Sequence, residues 1–450
     1  MPPILLKNAT VVNEGFSFKG GIFVQDGLIS DIFNYELPTD CERQASLEQR
    51  CGQVYELEGR YLLPGVIDTH VHFREPGATE KGCIATESRA AVAGGVTSFL
   101  DMPNNNPPAS DAAAIAAKIA IAERDSAANY GFYLGATGSN IGQIRGAAAA
   151  GACAVKVFMG SSTGSLLVDD PLLLREVFEA SPLMVAAHCE DNVLIRANLE
   201  RYKKLYGNDI PISAHPQIRS REACLAATRR AVETALAARK RLHIMHVSTL
   251  EEVEYLSQVM LSTDLVSAET CVQYLWFDDS DYERYGAQIK CNPAIKTPAD
   301  REALCEAVRS GVISIISTDH APHLPEQKAG GCLQAASGIP LVQYSLLMML
   351  EKVRQGVFSL PLLVEKMCHA PARLFGIDRR GFIRKGHYAD LVAVDAGAPS
   401  DVAPLSRCGW SPLTSFSYTI EYTFVNGALA ARNGAACNGP SSAMKLNHLR

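Results

Sequence analysis

Short apolar runs alternate with longer segments of helical composition along most of this chain. Eight apolar runs have strand character, and most end in a polar residue. They cover residues 61–72, 96–101, 130–134, 153–159, 183–188, 242–246, 265–270 and 312–319. Six intervening segments have helical composition, at residues 86–93, 111–128, 171–180, 219–241, 250–261 and 298–309. This repeated strand–helix alternation predicts an α/β fold, a parallel (β/α)8 TIM barrel.

Further apolar runs flank the predicted barrel on both sides. Residues 4–12 and 21–27 precede it, and residues 389–395 and 422–427 follow it. Asp26-Gly27 and Asn426-Gly427 are dipeptides that favour hairpin turns. We therefore predict a small composite β-sandwich domain from residues 1–58 and 385–450, beside a barrel domain of residues 59–384.

Composition narrows the possible functions. The chain has 450 residues, of which 47% are hydrophobic and 20% charged, as is ordinary for a globular enzyme. A net charge of −6 gives no reason to expect nucleic acid or a membrane as partner, and no apolar run approaches the roughly 20 residues of a membrane span. Thirteen cysteines without a Cys-X-X-Cys motif or a basic leader indicate free thiols in a reducing, cytoplasmic location.

Candidate metal ligands stand at the ends of the predicted strands. His70 and His72 close the first run, and residues two apart on a strand point to the same side. Two imidazoles on one side suit a zinc-like ion, although an isolated His-X-His is more often an ordinary histidine pair. His188, His246 and Asp319 each end a run of their own. Because the active site of a TIM barrel lies at the carboxyl ends of its strands, these side chains are expected to converge.

Several motifs together resemble the dihydroorotases of the cyclic amidohydrolase superfamily. The first stretch is Pro64-Gly-Val-Ile-Asp-Thr-His-Val-His-Phe-Arg-Glu-Pro-Gly77. The others are Asp101-Met-Pro-Asn104, Val155-Lys-Val-Phe-Met-Gly160, Ala187-His-Cys-Glu-Asp191, His246-Val-Ser-Thr249, Asn292-Pro-Ala-Ile295, Ser317-Thr-Asp-His-Ala-Pro-His323 and Gly386-His-Tyr-Ala-Asp-Leu-Val392. The resemblance runs along nearly the whole chain.

The resemblance implies two Zn²⁺ ions per chain, bridged by a hydroxide and by a carboxylated lysine. It assigns His70, His72 and Asp319 to the more buried ion, His188 and His246 to the second, and Lys156 to the bridging carbamate. Desolvation beside two dications lowers the pKa of a lysine toward that of a reactive amine, which supports the carbamate. Some dihydroorotases carry an aspartate instead, and a lysine that only extends to the barrel rim is the alternative.

The substrate contacts implied by the resemblance are Arg74, Asn104, Asn292 and His323. Arg74 lies two residues beyond His72, on the same side of the strand, and an arginine fork binds a carboxylate with two hydrogen bonds. The alternative is a surface arginine. Allantoinases are similar but typically have Asn at the position of Arg74, and hydantoinases lack the Phe-Arg-Glu-Pro-Gly stretch. Residues 324–337 are either a mobile loop over the site or an inert surface loop.

The implied reaction is the reversible cyclisation of N-carbamoyl-L-aspartate to L-dihydroorotate and water in pyrimidine biosynthesis. Asp319 is the catalytic residue, which takes a proton from the metal-bound hydroxide and delivers it to the ring nitrogen. The expected partner is a small-molecule substrate, and the expected assembly is a homodimer. Two alternatives remain, namely an allantoinase or hydantoinase and a non-catalytic homologue.

Overall fold

The computed structural model describes residues 2–160 and 164–449. Its strands are β1 Ile4–Asn13, β2 Phe16–Gln25, β3 Leu28–Asn34, β4 Gln53–Glu56, β5 Tyr61–Pro64, β6 Val66–Val71, β7 Val96–Asp101, β8 Asn129–Phe132, β9 Leu134–Gly135, β10 Val155–Phe158, β11 Val185–His188, β12 Leu242–Ile244, β13 Val266–Cys271, β14 Ile315–Ser317, β15 Leu391–Asp395, β16 Ser400–Asp401, β17 Ser415–Phe416, β18 Thr419–Val425, β19 Ala428–Arg432 and β20 Ala435–Ala436.

The α-helices are α1 Pro38–Glu48, α2 Ile84–Ala93, α3 Ala112–Asp125, α4 Ile141–Arg145, α5 Pro171–Ala180, α6 Asn192–Tyr206, α7 His215–Ile218, α8 Arg221–Ala238, α9 Leu250–Met260, α10 Val272–Trp276, α11 Tyr282–Tyr285, α12 Pro298–Ser310, α13 Ser345–Arg354, α14 Leu360–Val364 and α15 Ala370–Leu374. Each of the six segments predicted to be helical overlaps one of them. Local chemistry fixes their starts: the Asp111 carboxylate accepts a hydrogen bond from the Ala114 N–H, and Pro298 follows the capping residue Thr297.

Strands β6 to β14 form the predicted parallel barrel. β6, β7 and β8 pair in one set, and β9 to β14 pair in chain order in another. β8 and β9 are separated by Tyr133 alone, and the N–H of His72 closes the barrel by donating to His320 O at 2.7 Å. All eight predicted runs contain a barrel strand, so the predicted fold class is confirmed.

The two ends of the chain form the second unit. Its sheet has nine strands, with the order β20-β19-β18-β15-β5-β1-β2-β3 and β4 paired with β1. Asp26, Gly27, Asn426 and Gly427 all have positive φ angles, between 50° and 79°, which is the geometry of a two-residue hairpin turn. The predicted hairpins therefore join β2 to β3 and β18 to β19.

The predicted boundaries between the two units need correction at two points. The first predicted strand, residues 61–72, is two strands: β5 pairs with β1 and β15 in the nine-stranded sheet, and only β6 belongs to the barrel. The chain changes sheets at Gly65, where a Cβ atom would lie 2.1 Å from Thr97 Oγ1. At the other end, Lys445 pairs with Tyr130 of β8, so the last residues pack on the barrel.

Among the described residues, no helix is long and apolar enough to cross a membrane.

Candidate metal and substrate site

A cavity of about 290 Å³ opens at the carboxyl ends of the barrel strands. Its lining residues are His70, His72, Arg74, Asn104, Lys156, Phe158, His188, His246, Asn292, Asp319, Ala321, His323, Ser337 and Gly338. All ten residues singled out in the sequence are among them. The barrel therefore brings together side chains that are up to 253 positions apart in the chain, from position 70 to position 323.

His70 and His72 meet the same carboxylate oxygen. Nε2 of His70 lies 3.1 Å from Asp319 Oδ1, and Nε2 of His72 lies 2.9 Å from it. The ligand atoms of the three residues are all within 4.8 Å of one another, a spacing that one metal ion can bridge. Asp319 follows β14 with a φ of 48°, an unfavourable conformation for a non-glycine residue that often marks a functional site.

The charges of these three groups depend on one another. Burial alone would raise the pKa of Asp319, but the two imidazoles hold it well below its usual value. Burial lowers the pKa of His72 to about 4. Burial also acts to lower the pKa of His70, but Asp319 and Glu269 raise it above its ordinary value. The site thus favours a positive charge beside Asp319, which a divalent cation would supply.

Hydrogen bonds behind the two imidazoles fix which nitrogen faces the cavity. Nδ1 of His70 lies 2.7 Å from Glu269 Oε1, and Nδ1 of His72 lies 2.6 Å from Asn104 Oδ1. Both partners are acceptors, so each Nδ1 carries a hydrogen, and in the neutral imidazole Nε2 has the lone pair that a metal ion beside Asp319 would take. This arrangement is typical of metal-binding histidines.

His188 and His246 form a second imidazole pair. Nε2 of His188 donates to Glu190 Oε2 at 2.8 Å, so its Nδ1 presents a lone pair, and that Nδ1 lies 2.7 Å from His246 Nε2. Arg219 Nη1 donates to the same Glu190 oxygen at 2.5 Å. Burial lowers the pKa of both histidines, that of His246 to well below its usual value. Both imidazoles are therefore available as neutral ligands.

Lys156 lies on β10 and lines the same cavity as the two histidine groups. Its Nζ contacts Met245 Sδ at 2.7 Å and lies 4.8 Å from the centre of the Phe158 ring. The described residues place no carboxylate within ion-pair distance of it, and burial lowers its pKa to about 8. A lysine in this environment has a substantial neutral fraction near pH 7 to 8, the form that reacts with CO2.

The donor set fits a pair of zinc-like ions. It combines four imidazole nitrogens with one carboxylate, and a lysine amine lines the same cavity. His70, Glu269 and Cys271 also have ligand atoms within 4.8 Å of one another. In that set, however, Glu269 already accepts the hydrogen of His70 Nδ1, so it serves to orient His70.

Arg74 and His323 form the other end of the cavity. The guanidinium donates to Pro322 O at 3.2 Å and lies 3.1 Å from His323 Nε2. The same His323 nitrogen lies 3.1 Å from Ser337 O, so it can donate to Ser337 or accept from Arg74, but it cannot do both. Burial lowers the pKa of Arg74, and the part of the chain that the structure describes offers it no ion-pair partner.

Two glutamates behind the histidines were missed in the sequence analysis. Glu269 lies inside a predicted strand, and Glu190 lies two residues after the predicted metal ligand His188. Both are fully buried. The signal that singled out Lys156, an ionisable residue within an apolar strand, would also have identified Glu269.

The segment 324–337 was predicted to be either mobile or inert. In the structure it forms part of the cavity wall through Ser337. Nζ of Lys328 donates to Lys290 O, Ala336 O and Gly338 O at 2.9 to 3.0 Å, which ties the segment to the neighbouring loop. Its mobility stays a prediction.

The profile of the amidohydrolase family matches residues 61–430. The chain belongs to the amidohydrolase family. This amidohydrolase is 31% identical to a protein named dihydroorotase from Methanosarcina acetivorans, over 95% of the chain and 91% of the relative. It is 33% identical to a protein named allantoinase from Bacillus velezensis, over 87% of the chain and 85% of the relative.

Solved structures give the same architecture. The L-hydantoinase of Arthrobacter aurescens superimposes with a TM-score of 0.90 at 27% identity, covering 97% of this amidohydrolase and 98% of the hydantoinase. The protein is therefore a hydrolase of cyclic amides with the barrel and sheet architecture of its family. The substrate differs among these relatives, so the choice of substrate depends on the residues of the cavity.

Proposed function

We propose that this amidohydrolase is a dihydroorotase, which interconverts N-carbamoyl-L-aspartate and L-dihydroorotate plus water with the help of two zinc ions. The observation that carries the proposal is the position of Arg74. Its guanidinium faces the cavity and, among the described residues, has no carboxylate partner. A partly buried cation without a counter-ion favours an anionic ligand, and dihydroorotate carries one carboxylate.

Asn104 has two functions in this proposal. Its Oδ1 is occupied by His72 Nδ1 at 2.6 Å, so its Nδ2 is the group left to donate to a ligand in the cavity. Together with the fork of Arg74, this amide presents hydrogen-bond donors only. Donors alone suit a carboxylate, which is an acceptor.

Asn292 and His323 supply polar groups for the remaining polar atoms of the ring. Asn292 Oδ1 and His323 Nδ1 are buried and have no partner among the described residues. Buried polar atoms normally have hydrogen-bond partners, so atoms that line a cavity without one are suited to receive a ligand. Asn292 Oδ1 can accept a ring N–H of dihydroorotate.

The metal ligands in the proposal are His70, His72 and Asp319 for one ion and His188 and His246 for the other, with Lys156 as carbamate between them. Two ions bound there would lower the pKa of a shared water and polarise the ring carbonyl. The neutral lysine amine and CO2 give the carbamate and release one proton. Counted from the ammonium form two protons are lost, so a cationic side chain becomes an anionic one.

Asp319 moves the proton in this proposal. Its carboxylate is held ionised by the two imidazoles, so in ring opening it can accept the proton of the attacking water. It then delivers that proton to the departing ring nitrogen. In ring closure the same carboxylate accepts a proton from the attacking ureido nitrogen and passes it to the leaving water.

A second candidate function is allantoinase, which the Bacillus velezensis relative favours. Allantoin has no carboxylate, so as a substrate it could not form an ion pair with the guanidinium of Arg74. The test is the hydrolysis of dihydroorotate, allantoin and hydantoin by protein purified with zinc. The proposal expects the highest kcat/KM for dihydroorotate, and a preference for allantoin would replace it.

A further inference from the structure

Lys118 and Asp101 form an ion pair at the base of the substrate end of the site. Lys118 Nζ lies 2.6 Å from Asp101 Oδ2, and the exposed fractions of the two side chains are 1% and 0%. The lysine comes from α3 and the aspartate ends β7. Charges buried so deeply are costly unless they are paired and hydrogen-bonded. Neither residue lines the cavity, so catalysis does not use them directly.

The ion pair joins two loops that follow neighbouring strands. We call residues 73–77 the first loop and residues 102–106 the second loop. Asp101 Oδ1 accepts the backbone N–H of Phe73 at 2.8 Å, where the first loop begins. Lys118 Nζ donates to Met102 O at 2.9 Å and to Asn105 Oδ1 at 2.7 Å, both in the second loop. The pair thus anchors both loops to α3.

A further bridge runs directly from the second loop to the first. Asn105 Nδ2 donates to Glu75 O at 3.0 Å, and Asn106 N donates to Pro76 O at 3.2 Å. The amide of Asn105 therefore connects the Lys118 ammonium to the backbone immediately after Arg74. Since Arg74 has a φ of 68°, its unfavourable conformation must be held by such contacts.

We propose that Lys118 is a positioning residue that holds Arg74 and Asn104 at the distance and angle needed to bind the substrate carboxylate together. This inference rests on the proposed function, in which Arg74 and Asn104 receive that carboxylate. Lys118 acts only through the two loops. It sets the preference for carboxylate-bearing substrates, and its own hydrogen bonds reach residues 101, 102 and 105 and none of the metal ligands.

The test compares substrates with and without the carboxylate. Dihydroorotate and dihydrouracil share the ring amide, and dihydrouracil lacks the carboxylate. The main variant is Lys118→Met with Asp101→Asn, which removes both charges and keeps an oxygen that can accept the Phe73 N–H. A milder variant, Asn105→Ala, leaves the ion pair in place and removes the amide that links Lys118 to Glu75 O, so it keeps the inference testable if the double variant does not fold.

The matched control is a second buried ion pair away from the cavity. Arg380 and Asp390 are 3% and 2% exposed, and Asp390 also accepts from Asn129 at the junction of the sheet and the barrel. The double change Arg380→Met with Asp390→Asn removes comparable buried charges. It is expected to lower thermal stability and to leave the ratio of kcat/KM for dihydroorotate over dihydrouracil at its wild-type value.

The expected result for both loop variants is a higher KM for dihydroorotate, roughly 10- to 100-fold in the double variant and less in Asn105→Ala. Their kcat, zinc content and activity on dihydrouracil should stay near wild type. Two results overturn the positioning role but not the proposed function. One is an equal loss of activity on both substrates in the loop variants. The other is a wild-type ratio of kcat/KM for dihydroorotate over dihydrouracil in the loop variants, while Arg74→Met loses that preference. An unchanged ratio in Arg74→Met as well refutes the carboxylate assignment itself, and the role of Lys118 with it.

Discussion

Nδ1 of His188 and Nε2 of His246 face each other at 2.7 Å, and the hydrogen of His188 is already donated to Glu190. The contact can be closed by a hydrogen on His246 Nε2, or both nitrogens can offer a lone pair to a bound cation. Burial keeps both groups from taking up protons easily, because it lowers the pKa of each. Both imidazoles are therefore neutral and able to serve as metal ligands, in the same cavity as the group of His70, His72 and Asp319.

The metal content should therefore be about two divalent ions per chain, most of them zinc. Elemental analysis of protein purified without chelators measures this ratio. His188→Ala should lower it toward about one, because the group of His70, His72 and Asp319 stays intact. A ratio near zero in protein that still hydrolyses dihydroorotate would refute the paired site.

Lys156→Ala should lose the metal pair and nearly all turnover, because the bridging anion is gone. Short carboxylic acids added to this variant are expected to restore part of the activity by replacing the carbamate. Lys156→Met is the matched variant with a similar volume, and acids should rescue it less because the side chain still fills the space. Full activity in Lys156→Ala, with two ions bound, would show that another group bridges the ions.

The pH profiles of the two reaction directions should be opposite. Ring opening needs ionised Asp319, whereas ring closure needs one more proton on the attacked carboxyl group and the catalytic site together, because carbamoyl aspartate has one more carboxylate than dihydroorotate. Hydrolysis should therefore rise toward alkaline pH and cyclisation toward acid pH. The imidazoles hold the pKa of Asp319 well below its usual value, so the observed pKa belongs to the coupled water and carboxylate.

Asp319→Asn is the decisive variant for this role. The amide can neither accept nor deliver the proton, so both directions should be lost. Rates in both directions must be measured across pH, together with the zinc content of the variant. Parallel profiles in the wild type, or substantial rates in Asp319→Asn with its metals bound, would remove Asp319 from the proton transfer.

Acid should destabilise the fold through His215. This buried residue donates from Nε2 to Cys291 O at 2.9 Å, and burial lowers its pKa to about 3. The unfolded chain takes up a proton near pH 6.5 and the folded chain does not. Stability is therefore complete above that pH and falls as the pH drops from about 6.5 toward 3, by about 2 kcal/mol at pH 5.

Urea unfolding at pH 7.5 and pH 5 checks this prediction. His215→Gln keeps a donor near the position of Nε2 but has no group that titrates in this range. The variant should be less stable than the wild type at pH 7.5 and should lose less stability on acidification. The same loss in both proteins would contradict the assignment to His215.

The sequence predicts the barrel and the contents of its cavity because both depend on patterns within single strands. His188, His246 and Asp319 end their strands, and parallel strands in a barrel place their carboxyl ends together. The partners behind these residues depend on contacts between distant segments. Nothing in the local pattern indicates that Asn104 would bind His72, or that Lys118 would reach Asp101.

The boundary between the two units was missed for the same reason. Residues 61–72 form one apolar run, and a local pattern cannot show where the run leaves one sheet for another. The change occurs at Gly65, because Thr97 leaves no space for a side chain there. That restriction exists only once β7 is in place.

The central claim is that Arg74 selects a substrate with a carboxylate. Arg74→Lys keeps the positive charge but loses the planar guanidinium that can form two hydrogen bonds. Arg74→Met removes both the charge and the guanidinium and keeps a long unbranched side chain. Loss of a charged hydrogen-bonding partner is worth roughly 2 to 4 kcal/mol, which is about 30- to 1000-fold in kcat/KM for dihydroorotate. The activity of Arg74→Met on dihydrouracil should remain near that of the wild type, because that substrate has no carboxylate.

The most direct measurement is the ratio of kcat/KM for dihydroorotate to that for dihydrouracil, in the wild type and in Arg74→Met with equal zinc content. The wild type should strongly prefer dihydroorotate, and the variant should lose about 30- to 1000-fold of that preference. An Arg74→Met protein that distinguishes the two substrates as well as the wild type does would contradict the claim.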